Sequence, residues 1–264
     1  MAWRWLIVGP LIAALAAVSF YAVYRHQTRH ILPFADIEHT PPPEYVSPAF
    51  LEEVRVLGAF PAVIDTRRPG LARELRDAFA RHPWVAEVAD SAAADGRVRI
   101  TLRYRTPAAV VIVPPERYLI DAAGVRLPCG PRTASLEARL IEVHGVTAPP
   151  AGPPGTPWDA PGLRSAAELA RLVEADREAL GLVAIDIAPD PLRPDLRLRT
   201  KGGTQIVWQL LGPASASDAA PEEKLRRLRT YRVQHGDPDL PPGPYLLDLR
   251  PAGGIVRRQL NPGP

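Results

Sequence analysis

The sequence predicts an α+β protein with a single amino-terminal transmembrane helix, a small β-α-β-β domain and a larger mixed or antiparallel sheet carrying two helices. Three observations predict it. Trp5 to Tyr24 is one uncharged apolar run. Short alternating segments separated by glycine and proline recur through the rest of the chain, and two segments carry helical apolar spacing.

The apolar run comes first. Twenty residues at about 1.5 Å rise span roughly 30 Å, the thickness of a bilayer's hydrocarbon core. Trp3, Trp5, Tyr21 and Tyr24 stand at its ends, where aromatic rings favour the interface. Leu15-Ala16-Ala17 could serve a signal peptidase, but the positive amino-terminal region is reduced to Arg4, and the apolar run continues past the small residues. An uncleaved anchor is therefore the reading. Arg4 and the amino terminus balance Arg25 and Arg29, so charge alone leaves the orientation undecided. Residues 1–4 form a short tail before this segment. Residues 25–50 read as a Pro-rich spacer because of Pro33 and Pro41-Pro42-Pro43.

A first domain is expected over residues 51–116. Val54-Arg55-Val56-Leu57-Gly58 reads as a strand that ends on glycine. Pro69-Gly70 opens a helix whose inward face is Leu71, Leu75, Ala78 and Phe79, and His82-Pro83 stops it. Trp84 to Val88 reads as a strand. After the Asp95-Gly96 turn, Val98, Ile100, Leu102 and Tyr104 alternate with Arg99, Thr101, Arg103 and Arg105, which gives a strand with one dry and one wet face. Ala109 to Val113 continues extended.

A second domain is expected over residues 117–260, with 261–264 as a tail. Tyr118 to Val125 is a hairpin turning at Ala123-Gly124, and Leu140 to Gly145 is a strand. The loop from Val146 to Pro161 is too rich in proline and glycine to hold a core. A helix is predicted from Leu163 to about Leu180, with Leu163, Ala167, Ala170, Leu172 and Val173 inward. Val183 to Ile187 is a strand, and Leu196–Thr200 with Thr204–Leu210 form a hairpin around Gly202-Gly203. Pro221 starts a basic helix to about Val233. Tyr245–Arg250 and Ile255–Gln259 are the last two strands.

Composition narrows the function. With 46% hydrophobic residues the chain can build cores, and its 32 prolines cluster in loops. Net charge is only +3, and all basic residues except Lys201 and Lys224 are arginine, a bias that argues poorly for nucleic-acid binding. Six histidines are scattered without a ligand pair in the folded region, so no metal or cofactor is expected. Cys129 lacks a nucleophile signature, and Asp237 and Asp239 lack a calcium-loop spacing and read as solvated acids. No phosphate loop, nucleophile elbow or paired-carboxylate motif occurs, so the chain does not read as an enzyme. The row Arg97, Arg99, Arg103 and Arg105 reads as a wet strand face.

Several of these segments, in their order and spacing, resemble the FtsQ/DivIB family of bacterial division proteins over nearly the whole chain. The resemblance rests on Val54–Gly58, His82-Pro83-Trp84-Val85, Tyr104-Arg105-Thr106-Pro107-Ala108-Ala109, Tyr118-Leu119-Ile120-Asp121 followed by Gly124, and Leu140 to Gly145. Lys224-Leu225 with Leu228, and Leu247-Asp248-Leu249-Arg250 before Gly254, complete it. The stretch between Gly58 and Leu71 leaves little room for the family's first helix, and Tyr104 stands where the family has glutamate. The resemblance implies a POTRA domain followed by a β-domain, both outside the cytoplasmic membrane, with the amino terminus in the cytoplasm and the protein at the division septum. It implies a non-enzymatic scaffold that adds an extended partner segment to its last sheet edge and holds FtsB-like and FtsL-like coiled-coil division proteins. By position the partner-binding residues are Tyr245, Leu247, Asp248, Leu249, Arg250, Ile255, Val256, Arg257 and Arg258. The alternative from another class is a membrane-anchored extracytoplasmic enzyme or cell-wall-binding module.

Overall fold

The structure is a computed structural model that describes residues 30–94, 96–188, 195–210, 219–241, 243–251 and 253–260. The expected anchor, Trp5 to Tyr24, and the tails 1–4 and 261–264 lie outside the described residues. Among the described residues no helix is long and apolar enough to cross a membrane. The chain is a mixed α+β protein that divides into two compact units between Tyr104 and Arg105.

In the first unit, β1 (Ile31–Pro33) pairs antiparallel with β3 (Val63–Asp65) as a two-stranded ribbon. A three-stranded sheet has the order β2 (Glu38–His39), β5 (Arg97–Tyr104), β4 (Val85–Ala94), with β2 parallel to β5. Two helices complete the unit: α1 (Phe50–Leu57) and α2 (Leu71–Ala80).

The first helix overturns the strand expected at Val54–Gly58. A strand would put Val54 and Val56 on one face, whereas Val54 is 0% and Val56 64% exposed. Phe50 and Val54, four residues apart, form the buried stripe instead, and Glu52 and Glu53 favour the positive end of the helix. Gly58 closes it, because a Cβ there would lie 2.3 Å from the Phe60 ring. Helix α2 and strand β5 follow the sequence: Leu71, Leu75, Ala78 and Phe79 are buried on α2, and Val98, Ile100 and Leu102 are buried on β5, whereas β4 continues past the expected Val88 to Ala94.

The expected spacer is corrected too. Phe34, Ile37, Val46 and Phe50 are buried, and Tyr45 lies 5.1 Å from the Trp84 ring, so the segment from residue 30 onward is packed into the first unit. Its prolines stiffen a chain that apolar side chains tie down at short intervals.

The second unit is built on a nine-stranded mixed sheet. Its strands are β6 (Pro107–Val113), β7 (Glu116–Asp121), β8 (Arg126–Leu127), β9 (Ile141–His144), β10 (Leu182–Ile187), β11 (Asp195–Thr200), β12 (Gln205–Leu210), β13 (Tyr245–Asp248) and β14 (Val256–Gln259). Their order is β14-β13-β12-β11-β10-β9-β6-β7-β8. The border expected at 116/117 therefore moves to 104/105, because β6 pairs with β7 and β9 and not with β5. A short α3 (Ala134–Glu137), the helix α4 (Leu163–Val173) and the helix α5 (Pro221–His235) complete the unit.

Register explains the two faces of the sheet. Val143, Ile185, Leu198, Ile206 and Leu247 are cross-strand neighbours and form a continuous apolar row. Leu163, Ala166, Ala170 and Val173 of α4, and Leu225, Leu228 and Tyr231 of α5, belong to the same core. The alternate row runs His144, Asp186, Arg197, Val207, Asp248 and carries the polar face, where Arg199 pairs with Asp186 at 2.9 Å and Arg197 with Asp195 at 2.8 Å. The helix expected to reach Leu180 ends at Val173 and passes through a 3₁₀ turn, Glu174–Asp176, with Gly181 at φ +64° closing the segment. The loop 146–161 contributes Val146 and Trp158 to the core, contrary to its composition.

Candidate partner-binding edge

The sheet of the second unit has two ends, and they differ. The β8 end is closed: Val125 bridges Pro157, Arg126 N–H donates to Thr156 O at 3.0 Å, and Gly155 N–H donates to Arg126 O at 2.7 Å. Here the Pro-rich loop 146–161 covers the short edge, a common protection against unwanted strand pairing. The β14 end has no further strand among the described residues. In the first unit β4 is also an edge, but its register shifts between Val85 and Glu87 and again between Val88 and Asp90, and such bulges spoil an edge as a template.

Backbone bonds set which groups of β14 face outward. Leu260 N–H donates to Pro244 O at 2.9 Å, and on the other side Leu249 N–H donates to Val207 O at 3.1 Å. In an antiparallel pair, hydrogen-bonded positions alternate. Together with the pairing of Leu246 with Arg258 and Asp248 with Val256, this turns the main-chain groups of Val256 and Arg258 toward β13. The N–H and C=O groups of Arg257 and Gln259 then point away from the sheet, where an extended segment can bond to them.

The nine residues expected to bind a partner sort by this geometry. Tyr245, Leu247 and Leu249 are buried core residues, and Ile255 packs against the same core, so none of these four presents a free side chain. Their role is to hold the hairpin flat on the sheet. Asp248 and Arg250 pair at 2.6 Å. Burial pushes the Asp248 carboxyl up, but the Arg250 side-chain and backbone hydrogen bonds and the charges of Arg250 and Arg258 prevail, and its pKa falls below the ordinary value. Val256 is 42% exposed, and Arg258 is exposed beside it. Arg257 lies with its guanidinium 3.7 Å from the Tyr245 ring centroid and donates to Leu240 O at 3.4 Å.

Helix α5 supplies what the sequence reading missed. Arg226, Arg227, Tyr231, His235, Ile255 and Arg257 line a groove between this helix and the edge hairpin. Arg227 donates to Pro251 O at 2.9 Å and so ties the helix to the loop between β13 and β14. The signal was the four-residue spacing of Arg227, Tyr231 and His235, which places them on one helix face. Glu223 is held at about 2 by its hydrogen bonds with Arg226 and Arg227. Lys224 is 1% exposed, and its Nζ donates to Trp208 O at 2.8 Å, which anchors α5 on β12.

The loop before β13 is tied down by Asp239, which is not the solvated acid expected. Its Oδ1 accepts from Thr200 Oγ1 at 2.5 Å and its Oδ2 from Gly202 N–H at 2.9 Å. Burial pushes this carboxyl up, but these bonds and those from Thr204 outweigh it and hold its pKa below the ordinary value. A Cβ on Gly202 would lie 2.5 Å from Asp239 Cγ, which is why glycine stands there. Cys129 is exposed, with its thiol pKa raised chiefly by desolvation. Among the described residues no three His, Cys, Asp or Glu side chains are placed to hold a metal ion. Compared with known proteins, the chain matches no family model, and no curated protein matches its sequence.

Proposed function

We propose that the chain is a non-enzymatic, membrane-anchored scaffold that captures an extended segment of a partner protein on the edge strand β14. The observation that carries this reading is the pair of outward main-chain positions, Arg257 and Gln259, on a sheet edge that no further strand covers among the described residues. Such an edge gives affinity through backbone bonds, while neighbouring side chains select the partner. Arg226, Arg227 and Arg257 in the groove, with Arg258 on β14 itself, suit a partner with acidic residues flanking its strand.

The resemblance to the FtsQ/DivIB family directs the reading further. It assigns the anchor to the cytoplasmic membrane, with the amino terminus in the cytoplasm and the two folded units outside. The partners are FtsB-like and FtsL-like coiled-coil division proteins, and the place of action is the division septum. The α1 and α2 helices beside a three-stranded sheet support a POTRA-like first unit.

The test is co-purification of the full chain from membranes with candidate FtsB-like and FtsL-like partners. Arg257→Pro deletes an outward N–H, whereas Arg257→Ala keeps it. Capture falls at least tenfold for the proline variant relative to the alanine variant; equal capture by both would overturn the edge-strand reading. A fluorescent fusion spread evenly around the envelope would overturn the septal one.

A further inference from the structure

The ribbon at the start of the first unit has an exposed apolar face with no function in partner capture. Its register places Pro33 opposite Val63 and Ile31 opposite Asp65, so Ile31, Pro33 and Val63 share one side with Asp65, whose carboxylate is paired with Arg67, while Ile64 on the other side is buried. Ile31 and Val63 are each 47% exposed. Arg67 and Arg68 follow in the next turn, also exposed; they form surface pairs with Asp65 and Glu74, and Arg68 also lies 5.9 Å from the Phe60 ring centroid. Exposed ion pairs of this kind are weak and exchange readily with other anions.

The ribbon is also where the described residues begin. Thr66 N–H donates to His30 O at 2.8 Å, Thr66 Oγ1 donates to the same carbonyl at 3.2 Å, and Gly96 N–H donates to Thr66 Oγ1 at 3.2 Å. Residue 30 is thus pinned to the turn after β3 and, through it, to the turn between β4 and β5. The apolar run ends at Tyr24, six residues before this pin. Six residues reach at most about 20 Å even when fully extended. A tether that short cannot hold the ribbon far from the surface in which the apolar run is anchored.

The geometry points to the ribbon face Ile31, Pro33 and Val63 as a membrane-docking surface, seated in the headgroup layer of the bilayer that holds the anchor, with Arg67 and Arg68 against lipid phosphates. This rests on the anchor reading of Trp5 to Tyr24. Apolar side chains gain free energy by entering the interface, and arginines at its rim gain from anionic headgroups. The first unit is therefore held at the lipid surface by two attachments, and the segment after residue 30 sets an orientation rather than a distance.

The test uses the full chain in vesicles of phosphatidylethanolamine and phosphatidylglycerol, with Cys129→Ser as background. An environment-sensitive fluorophore is attached through Val63→Cys or, separately, through Ala14→Cys, and lipids carrying a headgroup-level or acyl-chain spin label serve as quenchers. Docking predicts strong headgroup-level quenching at position 63 and acyl-chain quenching at position 14. It also predicts at least a twofold loss of quenching at position 63 when Ile31→Asp is added, with the circular dichroism unchanged. Quenching at position 14 with none at position 63 would overturn the docking surface and leave the anchor standing. Quenching at neither would overturn both, and an unaltered signal with Ile31→Asp would overturn the role of the apolar face.

Discussion

The guanidinium of Arg257 sits 3.7 Å from the centroid of the Tyr245 ring, on the core side of the outermost strand pair. Arg257 is the cross-strand neighbour of Leu247, so it ends the row that runs inward through Ile206 and Leu198. The apolar row is thus capped at the sheet edge by a cation stacked on the last core aromatic. Its side chain closes the core while its main-chain groups face outward.

Removing that cap costs stability apart from any effect on binding. Arg257→Ala loses a cation–π contact worth about 0.5–1 kcal/mol at a partly exposed site. Urea unfolding of the second unit should report a loss of that size, and Arg257→Lys should recover part of it. A loss above about 2 kcal/mol would mean that Arg257 holds more than the ring.

Asp121 carries a larger share. One carboxylate oxygen accepts from Ala123 N–H and Val125 N–H, each at 2.9 Å, and the other accepts from Arg105 at 2.8 Å. The pair is largely buried, and breaking a buried pair costs about 3–5 kcal/mol. Asp121→Ala should lower stability by about 3 kcal/mol or more in denaturant titration. Asp121→Asn, which keeps one acceptor oxygen for the turn, should lose less.

His82 makes the first unit sensitive to mild acid. Its buried ring accepts at Nδ1 from Trp84 N–H at 3.3 Å and meets Glu53 Oε2 through Nε2 at 3.0 Å. Burial lowers its pKa from the ordinary 6.5, against the raising effect of Glu53. Below 6.5 the unfolded chain binds a proton that the folded one resists, so stability falls as pH drops through that value toward the lower folded value. Glu53 acts at lower pH: burial pushes its carboxyl up, but the bonds with His82 and Ser47 prevail and lower it from 4.5, so its contribution is lost below that range. Thermal unfolding between pH 7.5 and 5 should therefore show a decline in the first unit, and His82→Gln should flatten it. A decline of equal slope in His82→Gln would assign the acid sensitivity elsewhere.

Asp239 sets the position of the loop that precedes the edge hairpin. Asp239→Ala leaves Thr200 Oγ1 and Gly202 N–H without their acceptor, a loss of about 2 kcal/mol for bonds to a charged group. Because the folded pKa is lowered from 3.8, this stabilisation is present above that value and is lost as pH falls through the folded value. Hydrogen exchange should show faster opening of the turn at Gly202 and Gly203 in the variant, and unchanged protection there would remove Asp239 from this role.

Much of the fold was legible because its elements carry their own periodicity. β5 alternates over eight residues, α2 repeats its apolar residues at three and four, and Gly124 at φ +75° makes the turn that its dipeptide predicts. Helix α1 was not legible, because Val54 and Val56 mimic a strand and only Phe50 and the turn at Gly58 reveal the four-residue stripe. β1, β2 and β3 are two or three residues long and exist only through pairing with distant partners, so no local pattern can announce them. At the candidate edge the hairpin was legible from Tyr245–Arg250 and Ile255–Gln259. Which of its groups face outward was not, since that phase depends on how Pro244 and Val207 pair across strands.

That phase supplies the sharpest prediction on the edge itself. Val256 turns its N–H toward Asp248, so Val256→Pro removes a ladder bond and wedges a ring between β13 and β14. Arg257 turns its N–H away, so Arg257→Pro leaves the ladder intact and removes only an outward donor. Val256→Pro should therefore unfold at a distinctly lower urea concentration than Arg257→Pro, by an amount equivalent to about 1–3 kcal/mol for a buried group left unpaired. Arg257→Pro should lie near Arg257→Ala, since both lose the contact with Tyr245. The reverse order, with Arg257→Pro the more damaged in the absence of partner, would mean that the alternation is shifted by one residue and that Val256 and Arg258 face outward instead.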